Sequence, residues 1–159
     1  MVRWLDEQEQ QTWSAYIRLR QRLDAAMAAG LARDGLSVSD YEILVALSEA
    51  RAGSVRARDL AAQICWDKSR LSKHLARMEK RGLVVRSPAA EDARGRLICL
   101  TESGRRAIER AAPRHVELVR RLFVDQVTAA EAAALRSVSD KVSARIEAKS
   151  ESADPVRRE

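Results

Sequence analysis

Between residues 59 and 100 the apolar side chains change their spacing from the period of a helix to that of a strand, and this switch constrains the fold most. In "DKSRLSKHLARMEKRGLVVR" (67–86), Leu71, Leu75 and Met78 fall at i, i+4 and i+7, one stripe of an α-helix. Past Gly82, "LVVRS" and "RLICL" read as two short strands. Between them lies "PAAEDARG", in which Pro88 and Gly95 mark an exposed hairpin loop. Ahead of the switch, "RDLAAQI" predicts a short helix with Leu60 and Ile64 inward. "CWDK" is then a turn, with Asp67 placed to cap the next helix. The expected order is helix, turn, helix, hairpin.

The second of these helices carries an unusual surface. Around its apolar stripe stand Lys68, Ser69, Arg70, Ser72, Lys73, His74 and Arg77, with Asp67 and Glu79 as the acids of the segment. The whole chain of 159 residues has 29 Lys and Arg against 23 Asp and Glu, a net charge of +6. From Arg51 to Arg110 there are 15 basic and 7 acidic residues, whereas the remainder is slightly acidic. One basic segment in a near-neutral chain is the electrostatic footprint of a polyanion binder. A helix-turn-helix places its second helix in the major groove of DNA, its N-terminal half against base edges. Ser69, Arg70, Lys73 and His74 are therefore the expected base readers, since Arg and Lys donate to guanine and Ser is tolerant in its partners. Lys68, Ser72 and Arg77 suit phosphate.

The flanks are helical. Residues 5–29 predict a long helix with Trp13, Tyr16, Ile17, Leu23 and Met27 along one face. Ser39 and Glu42 stand in capping-box spacing, which predicts that a second helix starts near Asp40. After Thr101, Ile108, Ala111, His115, Val119 and Leu122 form a face, with a kink expected at Pro113. Thr128 and Glu131 form a further capping box ahead of a stripe of Leu135, Val138, Val142 and Ile146. The fold expected is mainly α with a small β-hairpin wing. Residues 1–38 give an N-terminal dimerisation helix and linker, 39–101 the DNA-binding lobe, 102–148 C-terminal dimerisation helices, and 149–159 a flexible tail. Dimerisation is expected because the terminal helices would leave Trp13, Tyr16, Leu122, Phe123, Val142 and Ile146 bare on a monomer.

Other classes find little support. No apolar run approaches the roughly 18 residues of a membrane span, and the N-terminus lacks a secretory core, so a cytoplasmic protein without membrane contact is expected. Cys65 and Cys99 read as core thiols. With two Cys and two His and no ligand pair on a shared face, neither a metal nor another cofactor is expected. No nucleophile–base set, phosphate loop or isolated carboxylate pair suggests an enzyme.

The segments "DLA" (59–61), "RMEKRGLVVR" (77–86) and "EDARGRLICLTESG" (91–104), with the helices on either side, resemble the multiple antibiotic resistance regulator (MarR) family of winged-helix transcription factors. The likeness runs from about Trp4 to Ala148. It implies a homodimer on a pseudo-palindromic double-stranded operator, a repressor released by a small molecule or oxidant. It also assigns the wing: Asp92 would brace the hairpin and Arg94 would reach the minor groove. Family members often have a second Arg where this chain has Ala93, and Arg96 is the substitute at hand. Arg56 stands where a small hydroxyl cap is usual, which still allows a phosphate contact. Peroxide-sensing members carry a reactive Cys in the first helical region, and this chain has none before Cys65. Ligand-responsive members bind aromatic or carboxylate anions in a crevice, for which Trp13, Tyr16, Arg20, Tyr41 and His115 are candidates here. The rival reading is a helical dimerisation scaffold that uses the winged helix to bind protein. The basic helix argues against it, since a protein-binding face should be more apolar or aromatic.

Overall fold

A computed structural model describes residues 2–50, 53–89 and 92–153, and the side chains of these except 89, 92–95 and 150–153. The first helix, α1 (Glu7–Ala32), is opened by Asp6 and Glu9, each accepting the other's backbone N–H. Its one buried residue is Leu31. Helix α2 (Val38–Glu49) is central to the core, with Ile43, Leu44 and Leu47 fully buried. It starts earlier than the spacing of Ser39 and Glu42 suggests. Ser37 and Asp40 make the reciprocal pair instead, because the Asp40 carboxylate is turned inward and gains partners that Glu42 on the outer side would not meet.

Next come β1 (Ser54–Arg56), α3 (Ala57–Gln63), α4 (Lys68–Lys80), β2 (Val84–Ala89) and β3 (Asp92–Leu100). The strands form an antiparallel sheet in the order β1-β3-β2. β1 was not expected: three residues are too short to show a period, and pairing of Val55 with Ile98 defines it. The hairpin strands also run further than their apolar runs, with Pro88 opposite Arg96 and Ala89 opposite Asp92 across a register shift. Pro88 is tolerated there because β2 is an edge strand.

Leu60 from α3, Leu71, Leu75 and Met78 from α4, and Ile98 from β3 pack with α2 and with Ile108 in one core. Asp67 caps α4 as expected, its carboxylate accepting the Arg70 N–H at 2.8 Å. The other end of α4 closes at Gly82, whose φ of 68° lets its N–H reach the Glu79 carbonyl and that of Leu83 the Met78 carbonyl.

A polar tie joins α2 to α4 beneath this apolar layer. Asp40, 3% exposed, accepts from Ser37 N (2.9 Å), from His74 Nε2 (2.8 Å) and from Arg81 Nη1 (2.7 Å). Arg81 also donates to the Gly35 carbonyl just beyond α1. Burial alone would raise the Asp40 pKa. Hydrogen bonds from Ser37, Arg81 and His74 outweigh that cost and hold it below its ordinary value of 3.8.

Helix α5 (Glu102–Leu122) begins where Thr101 binds the turn after α4: its hydroxyl donates toward the Gly82 and Leu83 carbonyls and accepts the Gly104 N–H. The helix continues through Pro113 without interruption. Helix α6 (Ala129–Ala153) opens at the expected Thr128–Glu131 box and extends past residue 148; the end of the tail, 154–159, lies outside the described residues. The chain forms two compact units, Met1–Val119 and Arg120–Glu159. In the second, Leu135, Val138, Val142 and Ile146 are each 45–61% exposed along one stripe of α6. Among the described residues no helix is long and apolar enough to cross a membrane.

A Cβ on Gly104 would lie 2.1 Å from the Leu83 carbonyl oxygen, so the glycine of "LTESG" lets α5 approach the backbone after α4. Gly104→Ala should lower stability by about 2 kcal/mol, read as a fall in Tm with an unchanged denaturant m-value. For Asp40, the lowered folded pKa means that its stabilisation is present above the unfolded value and is lost as pH falls through the folded one. Wild type should thus lose stability below about pH 4, and Asp40→Asn should flatten that part of the acid profile. At neutral pH the substitution should cost about 2 kcal/mol, moderated because Arg81 is 43% exposed and can turn to water. Urea unfolding across pH checks both.

Candidate nucleic-acid interface and adjoining cavity

Helix α4 divides cleanly. Leu71, His74, Leu75 and Met78 face inward, while Lys68, Ser69, Arg70, Ser72, Lys73 and Arg77 are exposed. The sequence thus yields a helix held along one side by the core and presenting cations and hydroxyls along the other. Arg70 is further ordered: its guanidinium lies 3.9 Å from the centre of the Trp66 ring, a cation–π contact. Glu79 receives Arg86 of β2, whose guanidinium also donates to the Ser72 carbonyl at 2.8 Å, so the hairpin is tied directly to α4.

One expected base reader is misplaced. His74 is 8% exposed, and both ring nitrogens are engaged, Nε2 with Asp40 and Nδ1 with Arg77 at 2.7 Å. It presents no free edge to a base. Its position on the seam between the apolar stripe and the basic face left the sequence pattern ambiguous, and Asp40 decides the matter from 34 residues away.

The turn between α3 and α4 also differs from expectation. Cys65 is exposed, not a core thiol, and has φ of 54°. Its N–H reaches the Ala62 carbonyl and that of Trp66 the Ala61 carbonyl, the closure that glycine usually supplies. This left-handed turn directs the Cys65 side chain outward and folds Trp66 back toward His74, their rings meeting at 88°. Cys99, on β3, is partly buried.

On the wing, Arg96 is exposed on β3. Asp92 and Arg94 belong to the same strand, but their side chains lie outside the described residues. Arg56 occupies the start of α3 without a side-chain cap, as the missing hydroxyl implied.

Beside α4 lies a cavity of about 910 Å³ bordered by α1, α2, the α3–α4 turn and α5. Tyr41 and His115 form part of its wall, their ring centres 4.3 Å apart. Burial raises the Tyr41 pKa, with Glu49 adding to the shift, and burial lowers that of His115. His115 Nδ1 is buried and has no hydrogen-bond partner among the described residues. Trp66 and Arg70 also line the cavity, as do Met27 and Asp24. Trp13, Tyr16 and Arg20 do not, contrary to the crevice expected from sequence. They occupy the same stripe of α1 as Asp24, Met27 and Leu31 but further toward its N-terminus; at 1.5 Å per residue, Trp13 is about 27 Å along the axis from Leu31. Trp13 and Tyr16 instead pack on each other, 54% and 52% exposed. Trp66 and Arg70 were missed as cavity residues because only the fold brings the turn before α4 against α1 and α2.

Known proteins share this arrangement. Residues 34–95 match the profile of the MarR family. The chain is similar to AbsC, a MarR family transcriptional regulator from Streptomyces coelicolor, at 35% identity over 92% of this chain and 99% of that one, with a TM-score of 0.90. It is also similar to Sco3205, a MarR family regulator from the same organism whose structure is a complex with DNA; identity is 34%, coverage 90% of each chain and the TM-score 0.86. CouR from Rhodococcus jostii, solved with p-coumaroyl-CoA bound, is 30% identical over 79% of this chain and 86% of that one, with a TM-score of 0.69. The sheet-backed basic helix, the flanking helices and these likenesses over most of the chain agree: the protein belongs to the MarR family of transcriptional regulators, DNA-binding proteins rather than enzymes.

Proposed function

We propose that the protein is a homodimeric, cytoplasmic repressor that inserts α4 of each protomer into successive major grooves of a pseudo-palindromic operator and leaves it when a small aromatic or carboxylate anion binds. The observation that carries this reading is the two-sided character of α4, with a core-facing apolar stripe and an opposite face of exposed cations. Ser69, Arg70 and Lys73 take the base edges. Lys68, Ser72, Arg77 and Arg56 take phosphates; on the wing, Arg94 reaches the minor groove, Asp92 braces the hairpin that carries it, and Arg96 adds a further contact. The DNA complex of Sco3205 supports this use of the lobe.

The exposed apolar stripe of α6 supports a dimer interface, and so, separately, does the exposed Trp13–Tyr16 pair of α1. For the effector, the cavity offers aromatic walls in Tyr41 and Trp66 and a cation in Arg70. An aromatic anion matches that set. CouR is solved with p-coumaroyl-CoA, whose acyl group carries a phenolic ring, and this supports an aromatic ligand.

Arg70→Ala should cost about 1–3 kcal/mol on the operator and relax preference at one base position. Lys68→Ala should weaken all duplexes alike and lower the salt slope by about 1. Fluorescence-anisotropy titrations of operator and random duplexes at several salt concentrations separate the two. Equal losses on both duplexes for Arg70→Ala would remove it from base reading.

A further inference from the structure

We propose that His74, though it touches no DNA, is a positioning residue that aims Arg77 at the phosphate backbone. The inference rests on the reading of α4 as the DNA-facing helix. His74 sits on the seam of that helix, its side chain 10% exposed. Nδ1 lies 2.7 Å from Arg77 Nη2, and a guanidinium can only donate, so Nδ1 is bare and the imidazole proton is on Nε2. That proton points to Asp40 Oδ1 at 2.8 Å. The ring therefore has one orientation in which both nitrogens are satisfied, and Asp40 fixes it through its own bonds to Ser37 N and Arg81. Trp66, packed against the imidazole at a centre-to-centre distance of 5.5 Å, closes the remaining side.

The charged groups around the ring thus have distinct parts. Asp40 comes from α2 and accepts the Nε2–H, Arg81 balances Asp40, and Arg77 comes from the next turn of α4 and donates a hydrogen bond. Arg70 stands over the far partner, Trp66. One amino group of Arg77 holds His74, and the rest of its donor fork, which makes no hydrogen bond among the described residues, is left for an anion. A long side chain held in this way has less rotamer freedom to lose on docking. An apolar residue there would leave both Asp40 and Arg77 without the bond that His74 makes to each.

The test uses the full-length protein, operator DNA at fixed salt, and two substitutions at one position. His74→Phe keeps a ring against Trp66 and removes both nitrogens; His74→Gln keeps a donor and an acceptor. His74→Phe should weaken operator binding on the order of tenfold, and His74→Gln should recover most of that. In an Arg77→Ala background, His74→Phe should cost no more than about twofold further. Losses that multiply in the double variant would overturn the proposal while leaving the DNA-reading role of α4 intact. If Arg77→Ala and Arg70→Ala both bind like wild type, the reading of α4 fails and this inference with it.

Should His74→Phe not fold, the imidazole can be read in the wild-type protein by nitrogen NMR. The expected state is Nε2–H with an unprotonated Nδ1 whose shift moves in Arg77→Ala. A proton on Nδ1, or a shift indifferent to Arg77, would contradict the assignment.

Discussion

A buried carboxylate ties the basic helix α4 to the body of the protein. Asp40 starts α2 by accepting the Ser37 N–H, and the same group accepts from His74 and Arg81 on and just beyond α4. Arg81 then bonds the Gly35 carbonyl after α1. One anion therefore links the ends of three helices. Removing a buried charge from its partners leaves those partners to be resolvated, which makes such a cluster expensive to disturb and specific in its geometry. The apolar stripe of Leu71, Leu75 and Met78 supplies the burial of α4, but a stripe alone permits sliding and rolling. The polar tie sets which way its basic face points.

Much of this was legible from local chemistry. Asp67 and the Thr128–Glu131 pair announce helix starts because a cap is made within three residues. The stripe of α4 was readable for the same reason, as was the exposure of Arg70 and Lys73. What was misread depends on distant partners. The Ser39–Glu42 spacing was as good as that of Ser37 and Asp40 until Asp40 met His74 and Arg81. His74 carries the same residue type whether it reads a base or braces an arginine. Cys65 looks apolar, but the helix-ending turn it occupies faces water. β1 exists only through its pairing with β3.

The cavity and the basic face of α4 meet in two side chains. Trp66 lines the cavity, packs on His74, and carries Arg70 on its face; Arg70 lines the cavity too and is exposed on α4. In a ligand-responsive repressor, a molecule that binds more tightly to the DNA-free state shifts the protein toward it by that difference in affinity. Contacts to Trp66 or Arg70 are where such a difference can arise without a long relay.

All of these features serve one claim, that two copies of α4 related by a two-fold axis read one operator. Hydroxyl-radical footprinting on the intergenic DNA beside the gene tests it most directly. Two protected patches related by two-fold symmetry are expected, their centres one helical turn of roughly 10 base pairs apart or a whole multiple of it. A single unrepeated patch, or uniform protection indifferent to sequence, would contradict it.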